Sequence, residues 1–362
     1  MSFKIKKNKI TFILPHLNGG GAERVCLTYL RKLKNNKFDI SLIVFDKTTD
    51  LINLIPEDVE LINLKTKRIS KSLLQLIKVL RKNKTDYVFT THYTVAFLLS
   101  IVKLFTPRFT HLARIPGSPK SEKKHNYYGI IKRYLFGIGL RSAQISIAQT
   151  SEMLEEATEV FKLKSKDCIV LSNPIDTLLI DECMREDFRL FNPEKYNIVA
   201  SGRLHPVKGY DILIKAFSEF NKIQQNNHLY ILGSDKGSES ELKDLVKQLK
   251  LEKNVSFLGF INNPYPYYLN CDLFVLSSIH EGFPNALLEN HYLNTPIVST
   301  RCANIVKSLI TNGVNGFLCE TNNIKDLKEN MEKASILKRC EIKNKKYMGS
   351  DLNTLLTQIQ NA

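Results

Sequence analysis

Residues 196–217 read YNIVASGRLHPVKGYDILIKAF. The first six form a short apolar run with β-branched side chains, the mark of a strand buried on both faces. Tyr210, Leu213, Ile214 and Phe217 then recur at the spacing of one helix face. Between strand and helix, Gly202, Pro206 and Gly209 punctuate a loop that carries Arg203 and Lys208. A strand that passes through a glycine-hinged loop into an amphipathic helix is the opening of a β-α-β unit, so a parallel sheet covered by helices is expected.

The same alternation extends in both directions. Towards the C-terminus, HLYILGS, VSFLGF, LFVLSS and PIVST read as strands, with helical patterns in ESELKDLVKQLK and NALLENHYL. Towards the N-terminus, KITFILPHL, DISLIVFD, VELINL, DYVFTTH and THLARIP read as strands. GGAERVCLTYLRKL, SKSLLQLIKVLRKN and VAFLLSIVKLF read as helices. Two such series argue two doubly wound α/β domains, and 362 residues suffice for two cores. The expected boundaries are 1–172 and 173–340, with the seam at Asn173-Pro174-Ile175-Asp176, where Pro174 blocks helix continuation. A tail, 341–362, is expected to pack back across the domains.

Charge divides at the same seam. Residues 1–172 hold 30 Lys and Arg against 14 Asp and Glu, whereas 173–362 are balanced at 22 and 22, so the whole net charge of +16 lies in the first part. That asymmetry points to a polyanionic partner of the first domain, an anionic membrane surface or a nucleic acid. Residues 70–82 and 123–136 interleave Lys and Arg with Leu, Ile, Tyr and Phe and are the candidate contact segments. The seven cysteines are odd in number and contain no CxxC pair, which excludes a disulfide scaffold and argues against structural zinc. Residues 1–17, MSFKIKKNKITFILPHL, read as a first strand rather than a leader. The longest apolar stretch, residues 95–105, is interrupted by Lys103 and falls short of the ~20 residues that a membrane span needs. A cytoplasmic protein, peripheral at the inner face of the cell membrane, is expected.

Open parallel sheets bind ligands at the carboxyl ends of their strands, and three loops there carry chemistry. The first is His16-Leu17-Asn18-Gly19-Gly20-Gly21-Ala22-Glu23-Arg24, whose glycines let backbone amides approach an anion at a helix N-terminus. The second is the loop from Ser201 to Asp211, where Arg203 and Lys208 can converge on one diphosphate. The third is Glu281-Gly282-Phe283-Pro284-Asn285-Ala286-Leu287-Leu288-Glu289, two carboxylates flanking the start of a helix, suited to sugar and ribose hydroxyls.

Together these segments resemble the retaining glycosyltransferases of family four, the glycosyl transferases group 1. SGRLHPVKGYDILIKAF, EGFPNALLE, NTPIVST, GVNGFLCE, LNGGGAERV and LSNPID fall in the order that family shows, and the resemblance covers most of residues 8–335. It implies the GT-B fold, two Rossmann-like domains facing each other across a cleft, with the acceptor on the first and a nucleoside-diphosphate sugar on the second. UDP is the commoner nucleotide in the family. The resemblance assigns the diphosphate to Arg203 and Lys208, and the ribose to Glu289. It assigns the transferred sugar to Glu281, and the sugar or the distal phosphate to the amides near Phe283, Pro284 and Asn285, with Gly282 and Ala286 in the same donor-binding stretch. Gly20 and Gly21 would approach the diphosphate from the opposite domain, Gly202 would belong to the donor site, and the backbone of Gly259, Phe260 and Ile261 would pair with the base. Where many members carry a His near the transferred sugar, this chain has Arg114, so Arg114 joins Glu281, Arg203 and Lys208 as a catalytic candidate. His16, Asn18 and His92 are the acceptor-side candidates.

The expected activity is retaining, metal-independent transfer of a hexose or N-acetylhexosamine to a membrane-associated glycan acceptor. Such transfer would serve polysaccharide, lipopolysaccharide or capsule synthesis, with no cofactor, no metal and no nucleic-acid partner. Two other readings compete. One is a sugar-nucleotide epimerase of GT-B architecture, which the E-x7-E segment disfavours. The other is a catalytically silent homologue that binds membrane or nucleic acid, against which stand the intact Arg203, Lys208, Glu281 and Glu289.

Overall fold

The computed structural model describes residues 7–18, 20–33, 38–46, 51–66, 69–122, 127–185 and 190–339, with the single positions 352, 355 and 356. The chain divides into two compact units, one of residues 1–174 and 349–362, the other of residues 175–348. The division falls inside the anticipated Asn173–Asp176 seam, two residues beyond 172. The reason is Asn173, whose Oδ1 accepts two hydrogen bonds from Arg114 and so ties the end of the first segment to the first unit. Of the 341–362 tail, Leu352, Leu355 and Leu356 are buried and helical and group with the first unit. The rest of that tail lies outside the described residues.

The first unit is built on seven parallel strands: β1 (Asn8–Leu14), β2 (Phe38–Val44), β3 (Glu60–Asn63), β4 (Tyr87–Thr90), β5 (Thr110–Arg114), β6 (Ile145–Ala148) and β7 (Cys168–Val170). Their order is β3-β2-β1-β4-β5-β6-β7. Helices α1 (Gly21–Leu33), α2 (Leu73–Asn83), α3 (Tyr93–Val102), α4 (Tyr127–Arg141) and α5 (Ser151–Phe161) connect them. Residues on both faces of β1, β2 and β4 are buried, as their continuous apolar runs require. Phe12 and Phe89 from neighbouring strands pack with ring centres 5.0 Å apart, and Tyr29 of α1 meets Phe89 at 5.5 Å. Each buried aromatic or aliphatic side chain of this kind contributes about 1.5–3 kcal/mol. Gly139 of α4 is held to glycine by packing: a Cβ there would lie 2.4 Å from the Phe97 backbone of α3.

The second unit opens with α6 (Thr177–Cys183). It then repeats the plan with six parallel strands, β8 (Tyr196–Ser201), β9 (Asn227–Leu232), β10 (Val255–Gly259), β11 (Leu273–Leu276), β12 (Ile297–Thr300) and β13 (Gly316–Cys319). Their order is β10-β9-β8-β11-β12-β13. The helices between them are α7 (Tyr210–Ile223), α8 (Glu239–Gln248), α9 (Tyr265–Asn270), α10 (Asn285–Tyr292) and α11 (Asn304–Leu309), with α12 (Ile324–Ala334) closing the unit. Two apolar clusters sandwich this sheet. One is centred on Leu213, Phe217 and Met331, the other on Phe274, Leu287 and Val306.

Strand order reverses between β1 and β4 in the first unit and between β8 and β11 in the second. Connections leave to opposite faces there and open a crevice at the carboxyl ends of the strands. All three singled-out loops start at these reversals. Among the described residues, no helix is long and apolar enough to cross a membrane.

Candidate functional site

In the second unit the structure brings the 202–209 loop and the 277–281 loop together at the β8/β11 reversal. The Ile279 amide donates to the Val207 carbonyl at 2.8 Å, and Ser277 Oγ donates to the Lys208 carbonyl at 2.9 Å. Gly209 sits in the left-handed region at φ 61°, and a Cβ there would stand 2.4 Å from the Ser277 carbonyl oxygen. Only glycine meets both demands. This docking carries Lys208 Nζ to 2.5 Å from Glu281 Oε1, a pair whose side chains are 18% and 14% exposed. Tyr210 Oη donates to the Gly202 carbonyl at 2.9 Å and holds the near end of the same loop. Burial pushes the Tyr210 hydroxyl far above its ordinary range, so it stays a donor.

Glu281 is fixed from two more sides. Its amide donates to the Cys302 carbonyl at 3.0 Å, and Ser278 Oγ donates to Oε1 at 2.7 Å. Gly282, Phe283 and buried Pro284 lead into α10, whose first-turn amides lack intrahelical acceptors, as in every helix. An anion is favoured at such an end. Glu289 is half-buried on the second turn of α10. Arg203 is exposed, and Gly259 ends β10 at φ 67° with Phe260 and Ile261 half-buried beyond it. Lys208, Glu281 and the start of α10 are therefore one constellation. Among the described residues no hydrogen bond links Arg203 to Lys208 or Glu281.

The first unit holds a second polar constellation at its β1/β4 reversal. The Glu23 carboxylate, on the first turn of α1, is 3% exposed, and its Oε1 lies 3.0 Å from His16 Nδ1. The rings of His16 and His92 are 6.0 Å apart, and Thr91 Oγ1 lies 3.0 Å from His92 Nδ1. Gly20 borders this group: a Cβ there would lie 2.3 Å from Glu23 Oε2. Burial pushes the Glu23 carboxyl up. The His16 hydrogen bond and the neighbouring His92 outweigh it and hold the group below its ordinary value. Burial pushes His92 down to about 4 against the pull of Glu23. Arg114 ends β5 beside them, 4% exposed, with Nε and Nη2 on Asn173 and with Nη1 lacking a hydrogen-bond partner among the described residues. The structure thus gathers His16, His92 and Arg114 and adds Glu23, which the sequence had offered only as part of a loop. Asn18 and Gly21 are exposed, and Gly19 lies outside the described residues.

Possible metal donors in His16, Glu23 and His92 lie within 4.8 Å of one another. The charge of Arg114 already acts on this group, so one buried cation offsets one buried carboxylate. Such a charge-balanced cluster, with Arg114 Nη1 unsatisfied among the described residues, suits hydroxyl groups better than a further cation.

Residues 184–348 match the family model "Glycosyl transferases group 1". A Campylobacter jejuni relative, 28% identical over 87% of this chain and 87% of its own, is named N-acetylgalactosamine-N,N'-diacetylbacillosaminyl-diphospho-undecaprenol 4-alpha-N-acetylgalactosaminyltransferase. The chain is a glycosyltransferase, with the group 1 match confined to residues 184–348. A second C. jejuni relative is 26% identical over 86% of this glycosyltransferase and 84% of its own length. It is named as an alpha-1,4-N-acetyl-D-galactosaminyltransferase acting on a PP-undecaprenol saccharide. Among solved structures, Anabaena HepE in complex with UDP-glucose superposes with a TM-score of 0.75 at 20% identity over 98% of each chain, which establishes the GT-B fold of the glycosyltransferase. The expected family, fold and enzyme class are those found.

Proposed function

We propose that this glycosyltransferase moves an N-acetylhexosamine or hexose, with retention and without a metal, from a UDP-sugar to a saccharide carried on a polyprenyl diphosphate. The observation that carries the reading is the Lys208–Glu281 pair beside the N-terminus of α10. It offers a cation, a carboxylate and the positive end of a helix at one strand reversal. Departure of the sugar leaves negative charge on the distal phosphate. Lys208, the α10 amides and Arg203 would oppose that charge with preorganised donors and no ion. Glu281 would accept hydroxyls of the transferred sugar, Glu289 those of the ribose, and the Gly259–Ile261 backbone would face the base. UDP is supported by the complexes of the Anabaena structure, and the lipid-linked acceptor and α-linkage by the names of the C. jejuni relatives.

The cluster of His16, Glu23, His92 and Arg114 would take acceptor-side hydroxyls, together with exposed Asn18 two residues after His16. An acceptor anchored in a bilayer calls for a membrane-facing surface. Helix α4 exposes Ile130, Ile131 and Tyr134 beside Lys132 and Arg133, and Leu104 and Phe105 are exposed just after α3. In α2, by contrast, Leu76 and Leu80 are buried in the core while Lys78, Arg81 and Lys82, with Lys71 just before the helix, face solvent.

Isothermal titration with UDP, GDP and a panel of UDP-sugars tests the donor half. Incubation of the preferred donor with undecaprenyl-diphosphate saccharides, with and without EDTA and with the anomeric configuration read by NMR, tests the rest. Product formed without acceptor as an epimer of the donor, or binding of no nucleotide, would replace this reading.

A further inference from the structure

Glu281 carries both of its side-chain hydrogen bonds on one oxygen. Lys208 Nζ donates to Oε1 at 2.5 Å and Ser278 Oγ donates to the same Oε1 at 2.7 Å, while Oε2 has no hydrogen bond among the described residues. Ser278 is itself fixed. It is 1% exposed two residues beyond β11, and Thr300 Oγ1 of β12 donates to its carbonyl at 2.5 Å. The two ties on Glu281 differ in what a donor would do to them. A diphosphate competes for the Lys208 ammonium, which is a charge-assisted donor to any phosphate oxygen. It does not compete for a serine hydroxyl buried behind the carboxylate.

We propose that Ser278 is a positioning residue that keeps Glu281 aimed at the transferred sugar once Lys208 has turned to the diphosphate, with Thr300 fixing Ser278 in place. The inference rests on the donor reading given above for Lys208 and Glu281. With Ser278 present, the carboxylate keeps one hydrogen bond after losing the other, so Oε2 stays where a sugar hydroxyl can meet it. Without Ser278, the side chain of Glu281 is held by its backbone alone and must be ordered by the sugar, at a cost in rotamer entropy.

The test compares UDP with UDP-sugars by isothermal titration on the full chain, taking the UDP-sugar that wild type binds most tightly from UDP-glucose, UDP-galactose, UDP-GlcNAc and UDP-GalNAc. In Ser278→Ala, UDP affinity stays within about twofold of wild type, and the extra affinity conferred by the sugar falls about tenfold. kcat/KM falls with it, chiefly through the donor KM. Ser278→Thr, which restores the hydroxyl, recovers the sugar preference. Thr300→Val loses part of it and serves as a second probe should Ser278→Ala fold poorly. Loss of UDP and UDP-sugar affinity by the same factor, or no change in the sugar preference in either variant, overturns the positioning role. So does a wild-type chain that binds every UDP-sugar no better than UDP. A wild-type chain that binds neither UDP nor UDP-sugars removes the donor reading instead, and this inference with it.

Discussion

The Lys208–Glu281 pair sets two substitutions against each other. Both side chains are largely buried, so a phosphate that recruits Lys208 must first loosen a partly desolvated ion pair. Lys208→Ala removes a charge-assisted contact of about 1.5–3 kcal/mol and is expected to weaken UDP tenfold or more. Glu281→Gln frees Lys208 from a neutralising partner and is expected to tighten UDP while abolishing sugar transfer; titration calorimetry and an activity assay read the two effects. A second residue lies far from this chemistry. Arg339 donates from Nη1 and Nη2 to the carbonyls of Leu293, Tyr268 and Cys271 and to Thr295 Oγ1. Arg339→Ala strands those acceptors and should cost the second unit about 2 kcal/mol. Arg339→Lys should not restore it, because a lysine cannot span the fork; urea denaturation decides. Lys208 and Glu281 were legible from sequence because each lies in a glycine-flanked loop after a strand. Ser278, Thr300, Glu23 and Arg339 were not, since a hydroxyl, a helix-start glutamate and a late arginine declare a role only when the chain folds a distant partner against them.

At the scale of elements, the alternation of strand and helix was readable almost throughout, because strands buried on both faces must be continuous apolar runs. Residues 196–217 became β8, its loop and α7 as their pattern required. What periodicity could not reveal is how tightly elements touch. Gly209 looks like any loop glycine, yet its left-handed φ and its approach to Ser277 join two loops into one site. Gly209→Ala should cost at least about 1–2 kcal/mol for the backbone alone. By pushing the loops apart it should also weaken UDP more than it lowers Tm, a contrast that calorimetry and a melting curve separate. Strand β5 and the start of α3 carry a pH dependence. Burial pushes His111 down to about 3 and His92 to about 4. Both lie below the ordinary 6.5, so both histidines are neutral when folded and take up a proton more readily when unfolded. Their stabilising contribution is complete above pH 6.5 and is lost as the pH falls towards 4, by about 1.4 kcal/mol per pH unit for each. The urea midpoint should therefore drop between pH 7 and pH 5, with a shallower drop in His111→Gln.

At the scale of the molecule, the +16 charge confined to residues 1–172 separates two ways of reaching a membrane. A cation near an anionic leaflet contributes about 1 kcal/mol, and that attraction is screened beyond about 8 Å at physiological salt. An apolar side chain inserted at the interface contributes through buried area, which salt does not screen. The exposed Ile130, Ile131 and Tyr134 of α4 stand beside Lys132 and Arg133, so on the proposed membrane reading both terms would act from one helix. Co-sedimentation with vesicles containing phosphatidylglycerol should therefore show binding at low salt that weakens, without vanishing, at 0.5 M NaCl. Binding to neutral phosphatidylcholine vesicles should be weaker at every salt concentration. Replacing Ile130, Ile131 and Tyr134 together by serine should leave a residue of binding that salt removes completely. Binding that is equal on neutral and anionic vesicles would mean that the charge excess serves something other than a bilayer. No binding even at low salt would mean that the lipid-linked acceptor must come to the enzyme rather than the enzyme to the leaflet.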